Sequence, residues 1–422
     1  MATRSNGSSG PLVFISAAEQ SADLHGAGLV RATRAACPTT RFVGVAGPAM
    51  VAAGCEPVFD MTRHSAMLLS AIGLAGRAAS MMRRCDRLLR GRPFDAAVLI
   101  DSPTLHLPLA GRARAAGVPV LYYIAPQLWA WGASRIYKLR HRVDKLAVIL
   151  PFEEAYFRDQ GVDTTFVGHP LAEQFAAQPI DGHAVDMLRS RGSPVIALLP
   201  GSRRHVVEQI LPGQVEVATR VAAAFPRAAF GVSIANAEVR PIIDRLTRSA
   251  GVAIDACCDR HAELIEAADL VLVASGTSTL EVAFRARPMI VMYNASRVFY
   301  HLIARWMIHT GHFALPNILA GRELVPEFMP YYTSIEPIAA RAVELLRSPG
   351  QLKAMSNGLR EVVGPLRAGR ASQTTAAMLL ALAGRQHQAG TSAPSTGPAP
   401  LKSVPLAAVG RETKMPLRSP ES

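Results

Sequence analysis

The 422-residue chain is poor in cysteine, and its five cysteines form no framework. Cys37, Cys55, Cys85, Cys257 and Cys258 are scattered and include no C-x-x-C pair, which excludes a disulfide scaffold and points to a reducing compartment. No uncharged apolar run reaches about 18 residues, so no transmembrane helix is predicted. The opening MATRSNGSSGPLVFISA lacks the long apolar region of a signal peptide. H-E-x-x-H and D-x-D patterns are missing and the 12 histidines are dispersed, so no metal site is predicted. His309 and His312, one helical turn apart, read as ordinary helix-end residues. RNP, KH and helix-turn-helix signatures are absent too, which argues against nucleic acid as a partner.

What is present is apolar material and positive charge. Half of the residues are hydrophobic, and 45 basic against 32 acidic residues give a net charge of +13, mostly from arginine. Such a surface suits an anionic membrane or a phosphorylated substrate, and charge alone does not choose between them. The length predicts two domains.

Short apolar runs alternate with helical patterns throughout, which predicts an α/β fold with parallel sheets covered on both faces. Strands are expected at Leu12 to Ser16, Arg41 to Val45, Asp95 to Ile100, Val118 to Ile124, Lys145 to Leu150 and Thr165 to Val167. A hydrophilic connector, about residues 174–192, follows. The pattern then restarts at Val195 to Leu199, Ala229 to Ile234, around Val252, at Val271 to Ala274 and at Met289 to Met292. The predicted divisions are a disordered lead-in at 1–10, a first Rossmann-like domain at 11–175, a second at 176–345, helices packing back at 346–385, and a disordered Pro/Ser/Ala/Gly-rich tail at 386–422.

The stretch VLVASGTSTLEVAFRARPMIV, from Val271 to Val291, organises the second half. A buried strand runs into a small-residue turn and then a helix, leaving unpaired N–H groups at a helix start, where phosphate binds readily. Glu281 is placed to accept hydrogen bonds from a ribose; an ordinary small-residue cap is the competing reading. In the first half, Asp101 ends a strand at the carboxyl edge, where open α/β sheets bind ligands. The competing reading is a cap on the Ser102-Pro103 turn. Between them, Met61 to Arg92 joins an apolar stretch (Met67, Leu68, Leu69, Ile72) to an arginine-rich one (Arg83, Arg84, Arg87, Arg90). This suits either a peripheral membrane patch or a buried helix followed by a solvated one.

Nine segments occur in order: ISAAEQSADLHGAGLV, FVGVAGPAMVAAGCE, IDSPTLHLPLA, APQLWAW, LPFEEAYF, FVGHPL, LLPGSRRHVVEQILP, VASGTSTLEVAF and LPNILAGRELVPEF. Together they resemble the lipid-A-disaccharide synthase family, glycosyltransferase family 19, over roughly residues 11 to 380. The resemblance implies a GT-B fold, with two Rossmann-like domains facing an interdomain cleft. It also implies an inverting transfer of 2,3-diacylglucosamine from its UDP donor to 2,3-diacylglucosamine 1-phosphate, with UDP released and no cofactor or metal. The enzyme is expected to work as a peripheral protein on anionic lipids at the cytoplasmic face of the inner membrane, with a homodimer left open.

Carried onto this chain, the resemblance makes Asp101 the catalytic base. On the UDP side it marks Ser202 and Arg203 of the PGSR turn, Ser275, Gly276, Thr277, Glu281, Asn317, Arg322 and Glu323; a guanidinium fork and helix-start donors suit a departing diphosphate. On the acceptor side it marks Glu19, Ser21, Asp23 and Trp129, with Trp131 beside it. The family pattern is not fully kept. Ala22 stands where glycine is usual, Thr104 where a second aspartate is common and His106 where asparagine is common. The usual glutamate of the apolar segment falls near Gly73. The chain therefore resembles a divergent branch. A related GT-B activity (another lipid acceptor, or a UDP-sugar 2-epimerase) and a non-catalytic basic membrane-binding paralogue are the alternatives.

Overall fold

A computed structural model of the chain describes residues 10–59, 71–129, 135–294 and 311–389. Leu12–Ala17 (β1), Arg41–Val45 (β2), Cys55–Phe59 (β3), Ala96–Ile100 (β4), Val120–Tyr123 (β5), Lys145–Val148 (β6) and Thr164–Phe166 (β7) form one parallel sheet. Its strand order is β3-β2-β1-β4-β5-β6-β7. Val195–Leu199 (β8), Ala229–Ile234 (β9), Asp255–Cys258 (β10), Leu270–Ala274 (β11), Met289–Met292 (β12) and Glu327–Phe328 (β13) form a second, also parallel, ordered β10-β9-β8-β11-β12-β13. This is the two-sheet α/β architecture that the sequence predicts.

The period-two alternation of each strand divides the first core into two layers. Phe14, Val43, Ala97, Leu99 and Tyr122 face one side, against Met81, Cys85 and Leu89 of helix Ala71–Gly91 and Leu107 and Ala110 of helix Pro103–Ala115. Val13, Ile15, Val98, Ile100 and Tyr123 face the other, against Leu29 and Val30 of helix Gln20–Ala36. That second layer is completed from the far end of the chain, by Leu379 and Ala383 of helix Ala371–Ala389. The second sheet shares one large core, to which helix Pro349–Ala368 adds Met355, Leu359 and Val363.

The chain passes between the halves twice, and the passages touch. A Cβ built on Gly168 would lie 2.5 Å from the Gly369 Cα, and one on Gly369 would lie 2.3 Å from the Gly168 Cα, so neither position has room for a side chain. Beside them, Glu173 accepts hydrogen bonds from the backbone N–H and hydroxyl of Ser372.

The structure departs from the sequence reading in several places, the two-residue strand β13 among them. β3 is an additional edge strand, half exposed and carrying Pro57. β10 begins at Asp255 rather than around Val252. The connector contains helices Pro170–Ala177 and Gly182–Arg189, the second capped by Asp181, whose carboxylate accepts the N–H groups of His183 and Ala184. Residues 1–9 and 390–422, where most of the lead-in and tail fall, lie outside the described residues.

Candidate active site

Each sheet reverses its strand order once. In the first, β1 and β4 lie side by side while their connections diverge; in the second, β8 and β11 do. Such switch points open a crevice at the carboxyl edge, and four of the turns singled out from the sequence leave these four strands. Glu19 and Ser21 follow β1, Asp101 follows β4, Ser202 and Arg203 follow β8, and Ser275 to Thr277 follow β11.

The Asp101 turn is strained. Asp101 and Ser102 both adopt left-handed backbone angles (φ 53° and 46°), and Ile124 at the end of β5 does too (φ 66°). Left-handed angles on such residues cost about 1–3 kcal/mol each and persist only where surroundings enforce them. Here the Asp101 carbonyl accepts the Tyr122 hydroxyl at 2.6 Å and His106 Nδ1 at 2.7 Å, while the Asp101 N–H donates to the Tyr123 carbonyl at 3.0 Å. Because a carbonyl only accepts, His106 carries its proton on Nδ1, and Nε2 accepts from the Ser16 hydroxyl at 2.9 Å. Full burial lowers the His106 pKa to about 4, so the imidazole is neutral. The half-buried Asp101 carboxyl is itself raised above its ordinary value, first by burial and then by the nearby Glu19 charge, against a lowering hydrogen bond from the Ser102 N–H. A raised carboxylate suits proton abstraction.

On the second sheet, a cavity of about 780 Å³ is lined by Gly201, Ser202, His261, Ser278 and Glu281, by the linker helix Pro170–Ala177, and from the first sheet's side by Leu24. Leu24 is 48% exposed, an apolar side chain left uncovered in a cleft. Glu281 is held in place: His261 Nε2 donates to its Oε2 at 2.9 Å, and His261 Nδ1 is hydrogen-bonded to the Ser233 hydroxyl at 2.6 Å. Gly201 turns through φ 104°, and Asn236 Nδ2 pins the turn by donating to the Ser202 carbonyl at 2.9 Å. Arg203, Gly276 and Thr277 are exposed at this edge. Ser233, His261, Asn236, His106 and Tyr122 are site residues that sequence reasoning missed or gave no role. Asp101 does not line this cavity; it sits on the opposite sheet.

The family model for lipid-A-disaccharide synthetase matches residues 13–379. A lipid-A-disaccharide synthase of Geobacter sulfurreducens is 34% identical over 381 residues, covering 89% of this chain and 98% of that protein. One from Nitrosococcus oceani is 34% identical over 376 residues, covering 89% and 97%. The chain belongs to the lipid-A-disaccharide synthase family. It is a glycosyltransferase of GT-B fold. Among solved structures, a putative UDP-N-acetylglucosamine 2-epimerase from Listeria monocytogenes superposes with a TM-score of 0.62 at 12% identity, covering 91% of this chain and 98% of that one. That likeness is one of fold alone.

Two residues that the family resemblance offers as ligands have other work in this member of the family. Asn317 is fully buried: its Oδ1 accepts the N–H groups of Leu324 and Val325, and its Nδ2 donates to the Val325 carbonyl at 2.8 Å. Its amide shapes the loop and, fully buried, is not presented to a nucleotide. Asp23 is 3% exposed and accepts the N–H groups of Gly47, Ala49 and Met50, capping helix Pro48–Ala52 rather than facing an acceptor. Arg322 and Glu323 are exposed but do not line the cleft cavity; Glu323 borders a separate groove with Glu327 and Arg341.

Trp129 is half-buried, donating from Nε1 to Glu153 at 3.0 Å and packing edge-on against Phe152. Burial pushes Glu153 up to about 7, against lowering hydrogen bonds from Trp129 and the backbone. Trp131, Met67, Leu68, Leu69 and His309 lie outside the described residues, as does the side chain of Ile72. Arg83, Arg84, Arg87 and Arg90 are exposed on helix Ala71–Gly91, with Arg90 paired to Asp86 at 3.2 Å. Among the described residues no group of three His, Cys, Asp or Glu side chains is set to hold a metal, and no helix is long and apolar enough to cross a membrane.

Proposed function

We propose that this glycosyltransferase condenses UDP-2,3-diacylglucosamine with 2,3-diacylglucosamine 1-phosphate to give the lipid A disaccharide 1-phosphate and UDP, inverting the anomeric centre. The observation that carries this reading is the pairing of two switch points. One presents a half-buried carboxylate on a strained turn; the other presents a nucleotide-sized cavity with a fixed carboxylate and two exposed helix-start turns. Asp101 takes the proton from the acceptor hydroxyl, whose oxygen attacks the anomeric carbon while the bond to the UDP oxygen breaks. The diphosphate leaves with the electron pair, and Arg203, Ser202 and the donors of Ser275, Gly276 and Thr277 stabilise its charge. Glu281, oriented by His261, takes the ribose hydroxyls. Glu19 and Ser21 border the acceptor side.

With Asp101 on one sheet and the nucleotide cavity on the other, turnover needs the two halves to close, bringing the boundary near residue 175 into play as a hinge. The exposed arginines of helix Ala71–Gly91 support peripheral attachment to anionic lipid at the inner face of the membrane, where both acylated substrates would reside. Replacing Asp101 by asparagine tests the central step. The expected outcome is loss of disaccharide formation by at least about 100-fold, as for removal of a positioned general base, with UDP affinity within about two-fold of the parent. Full activity in that variant would end the base assignment; lost activity with lost UDP binding would mean that the turn serves the donor instead.

A further inference from the structure

A second cavity, of about 490 Å³, is lined by Phe175, which also borders the cleft cavity, and by Glu266, Phe284, Arg285, Arg360 and Arg367. Its charges do not balance. Glu266 is tied to Arg287 by an ion pair, so its charge is matched. Arg285, Arg360 and Arg367 are left facing one space with no carboxylate bonded to them among the described residues. Arg285 is the sharpest case: its guanidinium lies over the Phe175 ring, 5.4 Å from the centroid, and its Nε and Nη2 are buried without a hydrogen-bond partner among the described residues. Arg367 lies 5.8 Å over Phe284 and donates to that residue's carbonyl. Arg360 reaches only the neutral side chain of Asn357, at 2.7 Å. Arg285 as a whole is half-buried and Arg360 and Arg367 are exposed, but buried guanidinium nitrogens without a partner are unfavourable, and the cavity is the space from which an anion would satisfy them.

We propose that this cavity is a second anion site, which takes a compact phosphate group carrying at least two negative charges. A single carboxylate would leave two guanidinium groups unmatched, whereas phosphate oxygens accept several planar forks at once. The two aromatic faces are already covered by guanidinium groups, so a base or an acyl chain gains little there. The position gives the site a consequence. Phe175 belongs to the linker helix Pro170–Ala177, Arg360 and Arg367 to helix Pro349–Ala368 just before the return passage, and Phe284 to the helix that leaves the Ser275 turn. A bound phosphate ties the donor helix to both passages between the halves, so its occupancy sets how freely they close.

The test is calorimetric titration of the full-length protein with inorganic pyrophosphate while UDP saturates the cleft. The wild type is expected to show one saturable site, weakened about 10-fold or more in Arg285→Met and in Arg360→Met, and unchanged in Arg245→Met, an exposed arginine that lines neither cavity. Arg285→Lys, which keeps charge but loses the fork, should fall between them, and circular dichroism melting checks that each variant is folded. A parallel arm uses phosphatidic acid in phosphatidylcholine vesicles; Arg285-dependent binding there but not to pyrophosphate would identify a lipid headgroup as the source of the phosphate. Absence of saturable binding to both probes up to about 10 mM, or equal affinity in wild type and a folded Arg285→Met, would overturn the site.

Discussion

Replacing His106 by leucine removes two buried hydrogen bonds from behind the Asp101 turn. The Asp101 carbonyl loses its 2.7 Å donor and keeps only Tyr122, and the Ser16 hydroxyl, itself fully buried, loses its acceptor. An orphaned buried hydroxyl costs about 1–3 kcal/mol and a lost neutral bond about 1 kcal/mol, so the first half should be weakened by about 2–4 kcal/mol. That is comparable with the strain stored at a left-handed aspartate, about 1–3 kcal/mol. The turn can then relax, carrying the carboxylate away from the acceptor hydroxyl. A misplacement near 1 Å lowers turnover about 100-fold, so kcat should drop by about 10–100-fold while UDP affinity stays within about two-fold. Asparagine, which can still donate to the carbonyl, should recover much of that loss. The pH dependence adds a second reading. His106 titrates at about 4 in the fold against 6.5 when exposed, so this one group leaves stability unchanged above 6.5 and lowers it as pH drops from 6.5 towards 4. That one group contributes about 3 kcal/mol to the fall, and the His106→Asn variant should show a shallower acid limb. Steady-state kinetics, UDP calorimetry and urea unfolding across pH make up the assay. A leucine variant that is destabilised yet keeps wild-type kcat would refute the idea, and would show that backbone bonds alone hold the turn.

Three further outcomes are expected. Glu281→Ala removes the carboxylate that His261 orients and should raise the Kd for UDP about 10–100-fold, as loss of charged hydrogen bonds does, with Asp101 chemistry intact; unchanged calorimetric affinity would remove Glu281 from the donor site. Asn317→Ala orphans two backbone N–H groups and a carbonyl, so it should destabilise the second half by about 2–4 kcal/mol in chemical unfolding without altering UDP affinity in the folded protein; lost affinity with unchanged stability would restore Asn317 as a ligand. Charge reversal of Arg83, Arg84, Arg87 and Arg90 to glutamate should abolish flotation with anionic vesicles at low salt, and retention of the variant on those vesicles would place the membrane contact elsewhere.

The strands were legible because both faces of each sheet are covered, so AAVLI, VIALL and LVLVA read as unbroken apolar runs. β3 and β13 escaped for the opposite reason: one is a half-exposed edge with an internal proline, the other two residues long. The turns were legible because each follows a buried strand directly. What the residues on them do was less so. Asp23 and Asn317 are polar residues beside a cleft, which is how a ligand-binding residue reads in sequence, yet both satisfy backbone N–H groups brought to them by the fold. Conversely, His106 looked like a departure from a family pattern, and only the geometry makes it a clamp on Asp101. His261 carried no signal beyond opening a helix, since its partners lie 28 residues before it and 20 after.

The helix Ala371–Ala389 closes the second face of the first sheet although it is made last. Order of synthesis and order of completion are therefore opposed. When the ribosome has finished β7, Val13, Ile15, Val98 and Ile100 have helix Gln20–Ala36 and Met50 of the short helix Pro48–Ala52 beside them but not the closing helix, and roughly 200 residues are still to come. At ~5–20 residues per second that is an interval of about 10–40 s in which an apolar sheet face waits for its cover. A chain interrupted within that interval presents the same face to chaperones and to other nascent chains, whatever the state of the second half.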